Sequence, residues 1–237
     1  MTVIENSVAL VTGGSRGIGR ALVRELQARG AAKVYATARD PRTVTESGAV
    51  PLALELTDPQ AAAGLARQAP DVTILVNNAG AAFRSSFLDS PIEDIRREFE
   101  INFYGSLYVT RAFAPVIEAN GGGHVLTVHS VLSWLTVPGS DAYSASKAAL
   151  WSQSNALRLA LAPRGIGVTG LHVGYVDTDL TAGVDAPKTS PETVAAQAVD
   201  GIEAGALEVL VDDVTRQVKA GLAADPAVLY PQLLAAS

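Results

Sequence analysis

Cysteine is absent from the 237 residues, which excludes disulfides, thiolate metal sites and cysteine nucleophiles and accords with a reducing cytosol. Redox chemistry, if any, needs another carrier. Positive charge is also scarce, since 18 Lys and Arg face 24 Asp and Glu for a net −6, and no basic stripe or tail offers a surface to nucleic acid. Long apolar runs are missing. Gly, Asn, Ser or charge interrupts each stretch well before bilayer-spanning length, and the short polar Met1 to Asn6 lacks the regions of a signal peptide. These absences predict a soluble, cytoplasmic protein with no membrane partner. The three histidines, His124, His129 and His172, show no metal-ligand spacing, so no metal is expected.

Hydrophobic residues make up 48% of the chain, enough for one α/β domain over residues 1–237. Short β-rich runs recur at Val8–Val11, Lys33–Ala36, Val50–Leu54, Val72–Val76, His124–His129 and Ile166–His172, with a seventh near Ala206–Val211. Between them, Gly17–Arg29, Asp58–Gln68, Pro91–Ala119 and Asp141–Ala162 carry helical periodicity. Strand alternating with helix predicts a doubly wound parallel sheet flanked by helices. Asn120 to Gly123 reads as a turn. The Gly/Pro-bearing stretch 179–192 reads as a mobile substrate segment, with Ser190 capping the helix that follows.

After the first strand stands Thr12-Gly13-Gly14-Ser15-Arg16-Gly17-Ile18-Gly19, a TGxxxGxG turn opening a helix. Glycines let the backbone approach an anion while free amides and the helix dipole meet it, although a glycine-rich turn also serves purely structural ends. Tyr143 and Lys147 are four apart in a predicted helix and so share a face. A phenol is a poor base at neutral pH, and a neighbouring ammonium favours its ionised form. Each feature has a bland alternative: YxxxK occurs on solvated helices, Ser130 can simply finish a strand, and Asn102 can form a local cap. A serine hydrolase is disfavoured, because His129 points away from its neighbour Ser130 on a strand and no GxSxG elbow is present.

Taken with Asn77-Asn78-Ala79-Gly80 after the fourth strand, Asn102, Ser130 and Tyr143-Ser144-Ala145-Ser146-Lys147, the chain from Val8 to Leu180 resembles the short-chain dehydrogenase/reductase family. The resemblance implies a Rossmann-like fold and reversible reduction of a ketone or aldehyde by a nicotinamide cofactor. In it Tyr143 exchanges the proton, Lys147 also binds the nicotinamide ribose, Ser130 orients the substrate oxygen, and Asn102 perturbs its helix and holds a relay water. The cofactor would be held by Gly13, Ser15, Arg16, Gly17, Ile18, Gly19, Arg39, Glu55, Leu56, Asn78, Ala79, Gly80, Tyr143, Lys147, Val176 and Thr178. A noncatalytic NADP-binding sensor on the same fold is the alternative from another class.

At the end of the second strand, small Ala38 stands where an acidic residue would favour NAD, and Arg39 follows to meet a 2′-phosphate, with Arg16 as a second cation. NADP(H) is therefore expected. Asp40 adds opposing charge there, or caps the turn at Pro41. Two positions depart from the family pattern: Glu55 replaces the usual Asp near adenine, and Val173 replaces the proline before Gly174. Phe83, Leu132 and Trp134 suggest an apolar or aromatic substrate, or serve as packing. Apolar positions on more than one face of Phe99–Ile117 and Ala142–Leu161 predict a homodimer or homotetramer, with a sheet-facing core as the competing explanation.

Overall fold

Side-chain alternation along the strands sorts the core into two layers. Ala9 and Val11, Ile74 and Val76, and Leu126 and Val128 face one layer, whereas Leu10, Leu75 and Val125 face the other. Both layers are apolar, so the strands are buried on both faces, as a parallel sheet requires. This computed structural model describes residues 2–231; Met1 and residues 232–237, which the expected domain and the signal-peptide reading include, lie outside the described residues.

The strands are β1 (Val8–Val11), β2 (Lys33–Ala38), β3 (Ala49–Ala53), β4 (Ile74–Asn77), β5 (Gly123–Val128), β6 (Ile166–His172) and β7 (Glu208–Leu210). They form one seven-stranded sheet in the order β3-β2-β1-β4-β5-β6-β7, parallel throughout, with Leu10 registered between Tyr35 and Leu75. Winding reverses between β1 and β4, which opens a crevice beyond the strand ends there.

Helices α1 (Gly17–Ala28), α2 (Pro59–Gln68), α3 (Ile92–Phe99), α4 (Ser106–Ala119), α5 (Asp141–Leu161) and α6 (Pro191–Ala204) flank the sheet. Leu22 and Leu26 of α1 and Val194 and Ile202 of α6 build one layer, and Leu65 of α2, Phe113 and Ile117 of α4 and Leu161 of α5 build the other. Asp58 starts α2 by accepting from the Gln60 amide at 2.8 Å. Ser190 starts α6, accepting from Thr193 at 3.1 Å. The expected single helix over Pro91–Ala119 is instead α3, a π-helical turn over Glu100–Gly105 and then α4. Two further short helices, α7 (Asp213–Gly221) and α8 (Pro226–Leu229), follow β7. No helix of the described residues is long and apolar enough to cross a membrane.

Candidate active site

Beyond the carboxyl ends of the strands lies a cleft of about 2640 Å³. Gly13, Ser15 to Gly19, Arg39, Glu55, Leu56, Asn78 to Gly80, Ser130, Tyr143, Lys147, Val176 and Thr178 all line it. Asn102 does not line it and acts from behind.

The glycine turn leaves β1 through Gly13 at φ +65°, a conformation that side chains disfavour. Gly19 allows α1 to begin against that turn, because a Cβ there would stand 2.1 Å from the Gly13 carbonyl oxygen. Arg16 occupies the N-cap position without a side-chain cap, so the first amides of α1 face the cleft as donors for an anion. Thr12 ties this turn to the segment after β4: its Oγ accepts from the amides of Asn78 and Ala79, each at 3.0 Å. Asn78 returns the link, its Nδ2 donating to the Thr12 carbonyl at 2.9 Å. Its side chain thus braces the glycine turn. Thr178 closes the other side, since a Cβ on Gly17 would meet its methyl at 3.1 Å.

At the end of β2 the charges sort themselves. Asp40 accepts from the Arg42 amide at 3.0 Å and pairs with the Arg42 guanidinium at 2.8 Å. Those contacts hold its carboxyl below the usual aspartate range, and they match the cap read from Pro41. Arg39 is exposed to the cleft and joins no ion pair among the described residues. Arg16 pairs with Asp179 at 2.8 Å, but both side chains are largely exposed, so the pair is weak. Glu55 accepts from the Thr57 hydroxyl at 3.0 Å, and Leu56 lies against Gly105, where a Cβ would come within 2.5 Å of its Cγ.

The π-helical turn presents Asn102 to the strand-end loop. Its amide brackets Ala81, accepting from the Ala81 nitrogen at 3.0 Å and donating to the Ala81 carbonyl at 2.9 Å. It also donates to Ser146 Oγ at 3.0 Å, and Ser146 donates to the Tyr143 carbonyl at 2.7 Å. Asn102 thereby connects the NNAG loop to the helix turn that carries Tyr143. Sequence reasoning passed over Ser146, whose only signal was its place beside Lys147. It also missed Glu98, a fully buried carboxylate that accepts from the Phe83 amide at 2.8 Å. Burial raises its pKa.

Tyr143 and Lys147 share one face of α5, with Lys147 Nζ 5.8 Å from the Tyr143 ring centroid. Lys147 is buried and donates to the Val128 carbonyl at 3.0 Å. The spacing predicted a phenol biased toward ionisation, and here the structure differs. Burial pushes the Tyr143 phenol up to about 12, the negative charge of Glu98 adds to this, and hydrogen bonding with the Ser130 side chain draws it partly back. Burial likewise pulls the Lys147 ammonium down to about 8. Desolvation is the largest cause of both shifts. Ser130 caps a short 3-10 turn over Val131–Ser133, its Oγ accepting from Leu132 at 3.1 Å.

Val173 fills the proline position and accepts from the Val131 amide at 2.8 Å, which joins the Ser130 loop to the end of β6. Leu132 and Phe83 line the cleft. Of the two readings of Trp134, substrate contact and packing, the structure shows the second: it does not line the cleft and stacks on His172 with ring centroids 4.0 Å apart. Its aromatic surface finds more partners behind the loop than in the cleft. His129 stacks on His172 at 4.7 Å and meets Ser154 Oγ at 3.1 Å, a packing and hydrogen-bonding role.

A sheet in this order with this cleft, glycine turn and tyrosine–lysine face defines a dinucleotide-fold oxidoreductase site. The family model described as short chain dehydrogenase matches residues 7–189, and the chain belongs to the short-chain dehydrogenase/reductase family. It is 36% identical over 181 residues to an NADPH-dependent 1-acyldihydroxyacetone phosphate reductase of Schizosaccharomyces pombe, covering 72% of this chain and 60% of that protein. To human short-chain dehydrogenase/reductase 3 it is 30% identical over 214 residues, or 82% of this chain and 71% of that one. The chain thus spans only 60% of the length of the yeast relative. A short-chain dehydrogenase from Burkholderia cenocepacia, solved in complex with NADP, superposes with a TM-score of 0.92 at 35% identity and 99% coverage of both chains.

Proposed function

We propose that this chain is an NADPH-dependent oxidoreductase that reduces a ketone or aldehyde to an alcohol and runs the reverse reaction. The observation that carries this reading is that the Tyr143–Lys147 face and the uncapped amides of α1 open on the same cleft. A dinucleotide fits the residues present: the cleft passes the uncapped first turn of α1 at Gly17 to Gly19, and Arg39 offers a cation beside neutral Ala38 where a 2′-phosphate would lie. The NADP complex of the Burkholderia protein and the NADPH dependence named for the yeast relative support the same choice.

When bound, NADP(H) supplies or accepts the hydride. The backbone of Gly13 to Gly19 would hold its diphosphate, Leu56 and Asn78 to Gly80 would flank the adenosine side, and Lys147, Val176 and Thr178 would hold the nicotinamide end. Tyr143, whose phenol keeps its proton well above neutral pH, is the donor to the carbonyl oxygen during reduction. Ser130 orients that oxygen, and Asn102 positions Tyr143 through Ser146. Asp179 to Glu192 would order over the bound substrate. Exposed Tyr104 and Leu159 suit a homo-oligomeric assembly. A panel of carbonyls and alcohols assayed by NADPH absorbance tests the activity: turnover with a preference for NADPH over NADH is expected. Binding of NADPH without turnover across the panel would overturn the enzyme reading in favour of a sensor.

A further inference from the structure

The loop after Ser130 supplies Leu135 and Val137 to the cleft wall, and part of what fixes it lies outside the family-matched span. The Trp134 indole is held between His172 on one side, at 4.0 Å, and the Lys219 ammonium of α7, 4.7 Å from its ring centroid. Lys219 stands equally close to the second indole, Trp151, at 4.9 Å, and the two indoles meet edge to face at 6.0 Å. Glu208 of β7 anchors the cluster, accepting from Lys219 and from Trp151 Nε1, each at 2.7 Å. Two residues further along the loop, the Thr136 amide donates to the Tyr230 hydroxyl at 3.0 Å. An ammonium over two aromatic faces, with its charge met by a carboxylate, is a directional contact in a partly buried place. Lys219 and Tyr230 lie beyond residue 189, where the family model ends, and neither lines the cleft.

We propose that Lys219 and Tyr230 are positioning residues: from the C-terminal helices they set the loop 131–140, and with it the apolar wall that Leu135 and Val137 present to the substrate. The proposal rests on the carbonyl-reductase reading for its kinetic consequence and on geometry alone for the clamp itself. Lys219→Met keeps the length of the side chain and removes the charge; Tyr230→Phe removes only the hydroxyl that accepts from Thr136. In the intact chain both tryptophans touch Lys219, and the chain has only 2, so tryptophan emission reports this cluster directly.

Lys219→Met is expected to shift that emission. With the best aromatic ketone of the panel, both variants are expected to raise KM by about fivefold while kcat and the Kd for NADPH stay within about twofold. An unchanged KM in both variants would overturn the assignment, whatever the emission does, and so would a fall in kcat at constant KM. If the native chain turns over no carbonyl, that failure belongs to the functional reading. The clamp is then read by limited chymotrypsin cleavage within 131–140, expected to be about fivefold faster in both variants. Equal cleavage rates would overturn it.

Discussion

Lys147 Nζ lies 5.8 Å from the centroid of the Tyr143 ring and donates its hydrogen bond to the Val128 carbonyl, so its charge is fixed beside the phenol by the end of β5. With the ammonium pulled down to about 8 by burial, it is protonated at neutral pH and loses its charge as pH rises through that value. Carbonyl reduction should therefore decline above about pH 8, and Lys147→Met should abolish the inflexion and lower kcat by at least about 100-fold. A pH profile of kcat/KM for both proteins checks this. An inflexion retained in the methionine variant would assign it elsewhere.

Arg39 and Asp40 divide the work at the end of β2. Asp40 pairs with Arg42, whereas Arg39, which we propose meets the 2′-phosphate, joins no ion pair among the described residues. Replacing Arg39 with Ala should raise KM for NADPH by about tenfold and leave KM for NADH within about twofold. Initial rates with the two cofactors measure it, and equal losses for both would remove Arg39 from the selection.

Acid should unfold the protein through its buried histidines. Burial holds His124 neutral down to about 4 and His172 likewise to about 4, against an ordinary value near 6.5. Unfolded imidazoles take up protons first, so this contribution is complete above pH 6.5 and is lost as pH falls from there toward 4. For His124 the loss is on the order of 3 kcal/mol below pH 4. His124→Gln, which keeps polar atoms near Thr2 and Thr169, should flatten the fall of Tm between pH 6.5 and 4. A slope identical to that of the native chain would contradict the assignment.

Asn102→Ala removes both bonds to Ala81 and the donor to Ser146. Buried polar partners left without hydrogen bonds cost roughly 1–3 kcal/mol, so Tm should drop and kcat should fall with it. Ser146→Ala leaves both Ala81 bonds in place and removes the Oγ that accepts from Asn102 and donates to the Tyr143 carbonyl. It should reduce kcat while largely preserving Tm, and calorimetry alongside kinetics separates the two effects.

The strands were legible because β1 and β4 carry the apolar runs Val8–Val11 and Ile74–Val76 and β5 a largely apolar one, and the glycine turn and the Tyr143–Lys147 face because close spacing brings those residues together. Glu98 was not legible, since a glutamate within an amphipathic helix reads as solvent-facing until the Phe83 amide folds onto it. The break at Glu100–Gly105 does not disturb helical periodicity enough to be seen from residue pattern. Trp134 stayed open between substrate contact and packing because its partners, His172 and Lys219, lie 38 and 85 positions further along the chain. The direction of the Tyr143 shift was missed for a related reason: burial is a property of the assembled site, and a four-residue spacing carries no information about it.

In the proposed NADPH-dependent reduction, the Tyr143 hydroxyl passes a proton to the substrate carbonyl. Tyr143→Phe deletes that hydroxyl and keeps the ring, so single-turnover NADPH oxidation with a ketone that the native chain reduces is the most direct test. A loss of at least about 100-fold in the chemical step, with NADPH still bound at near-native Kd, is the predicted result. A rate within a few-fold of the native chain would contradict it.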